Sequence, residues 1–214
     1  MSRYRTRSWR AFDPSALATP AIRGTRIPAA SAVATAPARP ATTAAASVRV
    51  LGLDPGSRRT GFGVIECRGS DCVHVAHGCI TVDREEFANR LRTIFERLLA
   101  LICEHSPGEV AVERVFVSRN ADSALKLGQA RGAALCAVPQ GLPVFEYAPR
   151  AIKLALVGSG AAEKPQVAHM IKLLLRIEGP LAADASDALA VAVCHAHSRR
   201  MSQLVPANMR PLAK

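Results

Sequence analysis

Val48-Arg49-Val50-Leu51-Gly52-Leu53-Asp54-Pro55-Gly56 decides the reading of this chain. Five of its first six residues are apolar or glycine, and Asp-Pro-Gly is a turn signal that stops a strand. A short apolar strand that ends on a carboxylate suits an α/β sheet, where ligand sites gather at the carboxyl ends of strands.

Downstream, Gly61–Glu66 and Cys72–Val82 read as two further strands joined by a Gly69-Ser70-Asp71 hairpin turn. Phe87, Leu91, Ile94, Phe95, Leu98, Leu99 and Ile102 recur at helical spacing, and Pro107-Gly108 stops that helix. Val110–Glu113 is a fourth strand, Asn120 caps a helix running toward Val138, and Val144–Tyr147 is a fifth strand. Val167, Met170, Ile171 and Leu174 mark another helix, and Asp184–His197 the last. Three consecutive strands followed by helices alternating with two more predict a mixed-polarity α/β sheet.

Upstream the chain changes character. Of residues 1–47, 30 are Ala, Pro, Ser or Thr; seven are Arg, and Asp13 is the one acid. That composition cannot bury enough apolar surface to offset ordering entropy, so the segment reads as disordered. A dispensable or over-extended leader is the favoured account, with a transit peptide as the alternative. Residues 48–205 read as the working domain and 206–214 as a short tail.

The whole chain carries 28 Lys and Arg against 17 Asp and Glu, a formal charge of +11. The leader supplies +6 of it (7 − 1), leaving +5 for the rest. A protein this basic meets something anionic, most often nucleic acid. Aromatics at 4% argue against a base-stacking platform and favour duplex backbone contact. The charge-free runs Ile27–Ala38 and Gly132–Phe145 contain prolines and fall short of the ~20 apolar residues a bilayer needs. The six cysteines include no Cys-x-x-Cys pair and read as reduced core thiols.

Asp54 and Glu113 each end an apolar strand, while Asp184 and Asp187 share one helical face at i, i+3. Each alone has an ordinary explanation as a turn acid or helix-dipole partner. Four together, on separate elements of a basic protein, favour a site for hard divalent cations: Mg²⁺ or Mn²⁺, two of which can clamp a phosphodiester. His74 and His77 would face opposite ways in a strand, and His195 and His197 lie apart on a helix, so the histidines read as structural. Gly158-x-Gly160 lacks the third glycine of a dinucleotide loop.

Five blocks together resemble the RuvC family, the bacterial Holliday-junction resolvases. They are Leu51–Gly61; Ala111–Phe116; Asn120–Gly132; Val144–Ala148 with Lys153, Val157–Gly160 and Glu163-Lys164; and Asp184–Ala190. The resemblance spans 48–205 and is absent from 1–47. It implies a ribonuclease-H-like fold with a five-stranded mixed sheet and helices on both faces. It further implies a cytoplasmic bacterial homodimer that resolves four-way DNA junctions by paired nicks, with a short T-rich preference and the RuvA–RuvB machine as partner. Asp54, Glu113, Asp184 and Asp187 would bind Mg²⁺, Lys153 and Lys164 would flank the scissile phosphate, and Phe116 would wedge against bases. Lys126 and Arg131 are further candidate phosphate contacts. Two other classes stand beside this reading: a catalytically silent junction binder, and an RNA-acting nuclease of the YqgF type. The sugar-kinase/actin ATPases share the Asp-Pro-Gly opening but need a second phosphate loop, which the sequence lacks.

Overall fold

The computed structural model describes residues 47–114 and 120–204. Its elements are β1 (Val48–Asp54), β2 (Arg59–Arg68), β3 (Asp71–Thr81), α1 (Phe87–His105), β4 (Glu109–Glu113), α2 (Ala121–Cys136), β5 (Val144–Tyr147), α3 (Pro149–Val157), α4 (Lys164–Leu175) and α5 (Ala183–Leu204). The sheet runs β3-β2-β1-β4-β5. β1–β2 and β2–β3 are antiparallel, whereas β1–β4 and β4–β5 are parallel. The mixed sheet anticipated from strand order is therefore present, with an antiparallel half and a parallel half meeting at β1.

Alternation along the strands divides the core in two. Val50, Ile65 and Ala111 face α3, α4 and α5, where Ile152, Ile171, Leu189 and Val193 close the layer. Leu51, Leu53, Val64, Val110 and Val112 face the other way, onto Ile94 and Leu98 of α1 and Ala130 and Ala134 of α2. Asn120 caps α2 by accepting from the backbone N–H groups of Asp122 and Ser123. Among the described residues, no helix is long and apolar enough to cross a membrane.

Glycine brings α5 onto the sheet. A Cβ at Gly52 would overlap the Ala188 carbonyl, and one at Gly61 would overlap that of Asp184. With Ala185, Ala188 and Ala192 buried on α5, backbone lies close to backbone, which fixes the start of the helix against the carboxyl end of β1.

Several expectations need correction. α3 was not anticipated, because its nine residues are too short a stretch to sustain a helical period; Ile152 and Leu156, four apart, are its buried pair. The core stripe of α4 is Val167, Ile171 and Leu175, while Leu174 is 42% exposed. The cysteines are not uniformly reduced core thiols. The hairpin register sets Cys67 opposite Cys72, where they form a disulfide, and Cys103 and Cys136 are exposed. His74 and His77 do not point apart, because the β2–β3 ladder slips by one residue beside them.

Candidate active site

β1 and β4 lie side by side and parallel, with Leu53 opposite Val112. Asp54 and Glu113, one residue further on, are thus delivered to the same edge of the sheet. A hydrogen bond joins their carboxyls. Burial, then the neighbouring Asp54, push Glu113 up to about 7, and burial and Asp187 raise Asp54 as well. Because both groups are raised and hydrogen-bonded to each other, the pair is arranged to share one proton.

α5 supplies the remaining acids. Asp187 lies near enough to raise both strand carboxyls, and its Oδ2 accepts from Lys164 Nζ at 2.8 Å. Lys164 is correspondingly held above the usual lysine value by Asp187. Asp184 stands one turn earlier and adds a smaller repulsion to Asp54. Its Oδ2 meets Arg59 Nε at 2.9 Å and Cys79 Sγ at 3.7 Å. Arg59 and Cys79 were not anticipated as neighbours of the acids. They arrive through strand register, since Gly61 pairs with both Asp54 and Cys79.

The donor set suits a hard cation. Oxygen ligands alone are gathered around Asp54, and burial together with neighbouring negative charge drives Asp54 and Glu113 upward, the electrostatic situation a divalent ion relieves. Among the described residues, no group of three acids, histidines or cysteines already forms a closed metal cage. Asp184 and Asp187 are turned to Arg59 and Lys164 instead. The residues fit the ion by chemistry and by their convergence on one edge.

The other anticipated residues divide. Lys153 and Lys164 line one cleft of about 180 Å³ together with Glu113 and Asp187. Lys126 pairs with Asp122 at 2.7 Å and borders a separate cleft with Arg58 and Arg90. Arg131 is not a surface cation. Its side chain is 14% exposed, one guanidinium nitrogen donates to the Glu113 carbonyl at 2.9 Å, and another pairs with Glu146. That geometry holds the end of β4 in place and corrects the expectation of an open phosphate contact. Phe116 lies outside the described residues.

Comparison with known proteins extends this picture. The sequence model described as "Crossover junction endodeoxyribonuclease RuvC" matches residues 50–195. A protein of that name from Methylococcus capsulatus is 59% identical over 162 residues, 73% of this chain and 98% of the relative. The one from Alkalilimnicola ehrlichii is 56% identical over 154 residues, 72% of this chain and 93% of the relative. Among solved structures, T. thermophilus RuvC in complex with Holliday junction substrate superposes with a TM-score of 0.68 at 35% identity, over 72% of this chain and 96% of that one.

Proposed function

The chain belongs to the RuvC family of crossover junction endodeoxyribonucleases, metal-dependent nucleases, and from that premise we propose that Asp54, Glu113, Asp184 and Asp187 are its cutting centre. The observation that carries the reading is the Asp54–Glu113 pair, two half-buried carboxyls both raised first by burial, with the charge of Asp187 adding to both.

Two Mg²⁺ ions, replaceable by Mn²⁺, are the assigned cofactors, held by the four carboxylates. When bound they supply Lewis acidity toward the phosphate and an acidified water. The remaining work belongs to side chains. Loss of the shared proton turns Asp54 and Glu113 into an anionic donor pair. Lys164 and Lys153, on the cleft wall beside Glu113, face a phosphodiester whose negative charge grows toward the transition state, so they stabilise it more than the ground state. Phe116 is assigned to the bases at the crossover. Lys126, with Arg58 and Arg90 beside it, is assigned to sequence-independent backbone contact.

The substrate is a four-way junction, as in the T. thermophilus complex. A homodimer with two such centres nicks opposite strands, and the RuvA–RuvB machine, in the bacterial cytoplasm, presents the junction. Residues 48–205 are the nuclease domain and 206–214 a short tail, with 1–47 dispensable for cutting.

The test is cleavage of a synthetic four-way junction beside a linear duplex of the same sequence, with Mg²⁺ or with chelator. Paired, Mg²⁺-dependent nicks in opposed strands of the junction alone are expected. Equal cutting of the duplex, or cutting in chelator, would overturn the proposal.

A further inference from the structure

β3 is an edge strand, and its pairing with β2 slips between Val64 and Ile65. Val64 stands opposite Ala76 but Ile65 stands opposite His74, leaving Val75 as the extra residue of a bulge. In an unbroken strand, residues 74 and 77 would project from opposite faces. The bulge moves them to the same one. His77 lies opposite Gly63, which faces Leu189 of α5, and His74 lies opposite Ile65, which packs in the α5-side core. Their rings are 4.8 Å apart and tilted by 54°, and His77 Nδ1 lies 2.7 Å from His74 Nε2.

We propose that His74 and His77 form a two-nitrogen chelating site for a borderline transition-metal ion of the Ni²⁺ or Cu²⁺ class, separate in ligand chemistry from the carboxylate centre. Two nitrogens 2.7 Å apart, each about 2.05 Å from a shared ion, subtend roughly 80° at it. That is close to the ~90° of octahedral and tetragonal ions and well below the ~109° of tetrahedral zinc. Imidazole must be neutral to ligate, and burial together with His77 holds His74 below the usual imidazole value. Among the described residues no third histidine, cysteine or carboxylate completes a metal-holding group, so water fills the other positions. Binding there ties the two sides of the bulge together and stiffens the sheet edge.

The alternative occupant of the space between the nitrogens is a proton, giving a hydrogen-bonded pair and nothing more. Titration calorimetry of the full chain with NiCl₂, in excess Mg²⁺ to occupy the carboxylates, separates the two. The wild type should show a Ni²⁺ event that His74→Ala and His77→Ala each weaken at least tenfold and that His197→Ala leaves unchanged. Ni²⁺ should raise the wild-type melting temperature and not that of His77→Ala. His77→Asn, which keeps a hydrogen-bonding group but no imidazole, serves if alanine unfolds the strand. Mg²⁺-dependent junction cutting by His77→Asn should match wild type, so a failed nuclease reading would not mimic this result. A Ni²⁺ isotherm in His77→Asn identical to wild type would overturn the proposal.

Discussion

β4 carries a glutamate at each end, and the two live in opposite electrostatic worlds. Glu109 opens the strand with two partners: buried His195 at 2.7 Å and Arg199 at 2.9 Å. His195 continues to the Tyr147 hydroxyl at 2.7 Å, so the network ties β4, β5 and α5 together. Nearby, Glu66 is bracketed by Arg49 and Arg68 and held below the usual carboxylate range by them. Glu113 closes the same strand four residues on. Its neighbours are Asp54 and Asp187, and burial and repulsion push it up to about 7. A fold seeking stability alone would treat both ends as it treats Glu109. The end that accumulates repulsion marks where function has overridden stability.

That contrast can be broken most sharply by charge removal. Asp54→Asn, Glu113→Gln, Asp184→Asn and Asp187→Asn should each reduce junction cutting by roughly 10³-fold or more, the loss of several kcal/mol of metal stabilisation. Junction affinity, measured by gel shift, should persist, because it rests on basic phosphate contacts. Glu109→Gln should leave cutting near wild type. Lys164→Ala and Lys153→Ala come next, slowing single-turnover cleavage by about 10²-fold with little loss of binding. Equal losses in rate and affinity would reduce both to ordinary phosphate contacts.

Stability should move the other way. Glu109→Gln removes a charged partner from buried His195 and Arg199 and should cost about 1–3 kcal/mol. Glu113→Gln should raise the metal-free melting temperature at pH 7.5 by roughly 2–4 °C. Between the ordinary glutamate value of 4.5 and about 7, folded Glu113 retains a proton that the unfolded chain releases. Raising pH through that window therefore destabilises the wild type, and the glutamine variant should flatten the slope. Melting curves at pH 5 and pH 7.5 in chelator check the sign.

Smaller effects sharpen the comparison on α2. Lys126→Ala should weaken junction binding and shallow its salt dependence by about 0.9 in log–log slope. Arg131→Ala should leave that slope unchanged and slow cutting about tenfold, since its guanidinium holds the Glu113 carbonyl. Smallest of all, deleting residues 1–47 should leave junction cutting unchanged at physiological salt while lowering affinity for linear DNA at low salt. Loss of cutting would mean that the segment contributes to the centre.

The strands, most helices and the four carboxylates were legible because each depends on local signals: apolar runs, a turn tripeptide, an i, i+3 pair on a helix. What escaped the sequence depends on register or tertiary packing. The Gly69-Ser70 turn sets Cys67 against Cys72 only once the ladder is counted back from it. A one-residue slip at Val75 cannot be seen in alternation, yet it turns two histidines into neighbours. Arg131 sits on a helix face that reads as solvated, and its burial follows from Glu146 on a strand fifteen positions away. Arg59 becomes a partner of Asp184 only because α5 is held close by Gly61.

The most direct test compares the two ends of β4 in one experiment. Mn²⁺ binding to the DNA-free protein at pH 7.5 can be followed by calorimetry and by electron paramagnetic resonance of the free ion, for wild type, Glu109→Gln and Glu113→Gln. Wild type and Glu109→Gln should bind Mn²⁺ with matching isotherms, and Glu113→Gln should lose at least tenfold in affinity. Binding by folded Glu113→Gln that is indistinguishable from wild type would contradict the assignment of this strand end as the metal centre.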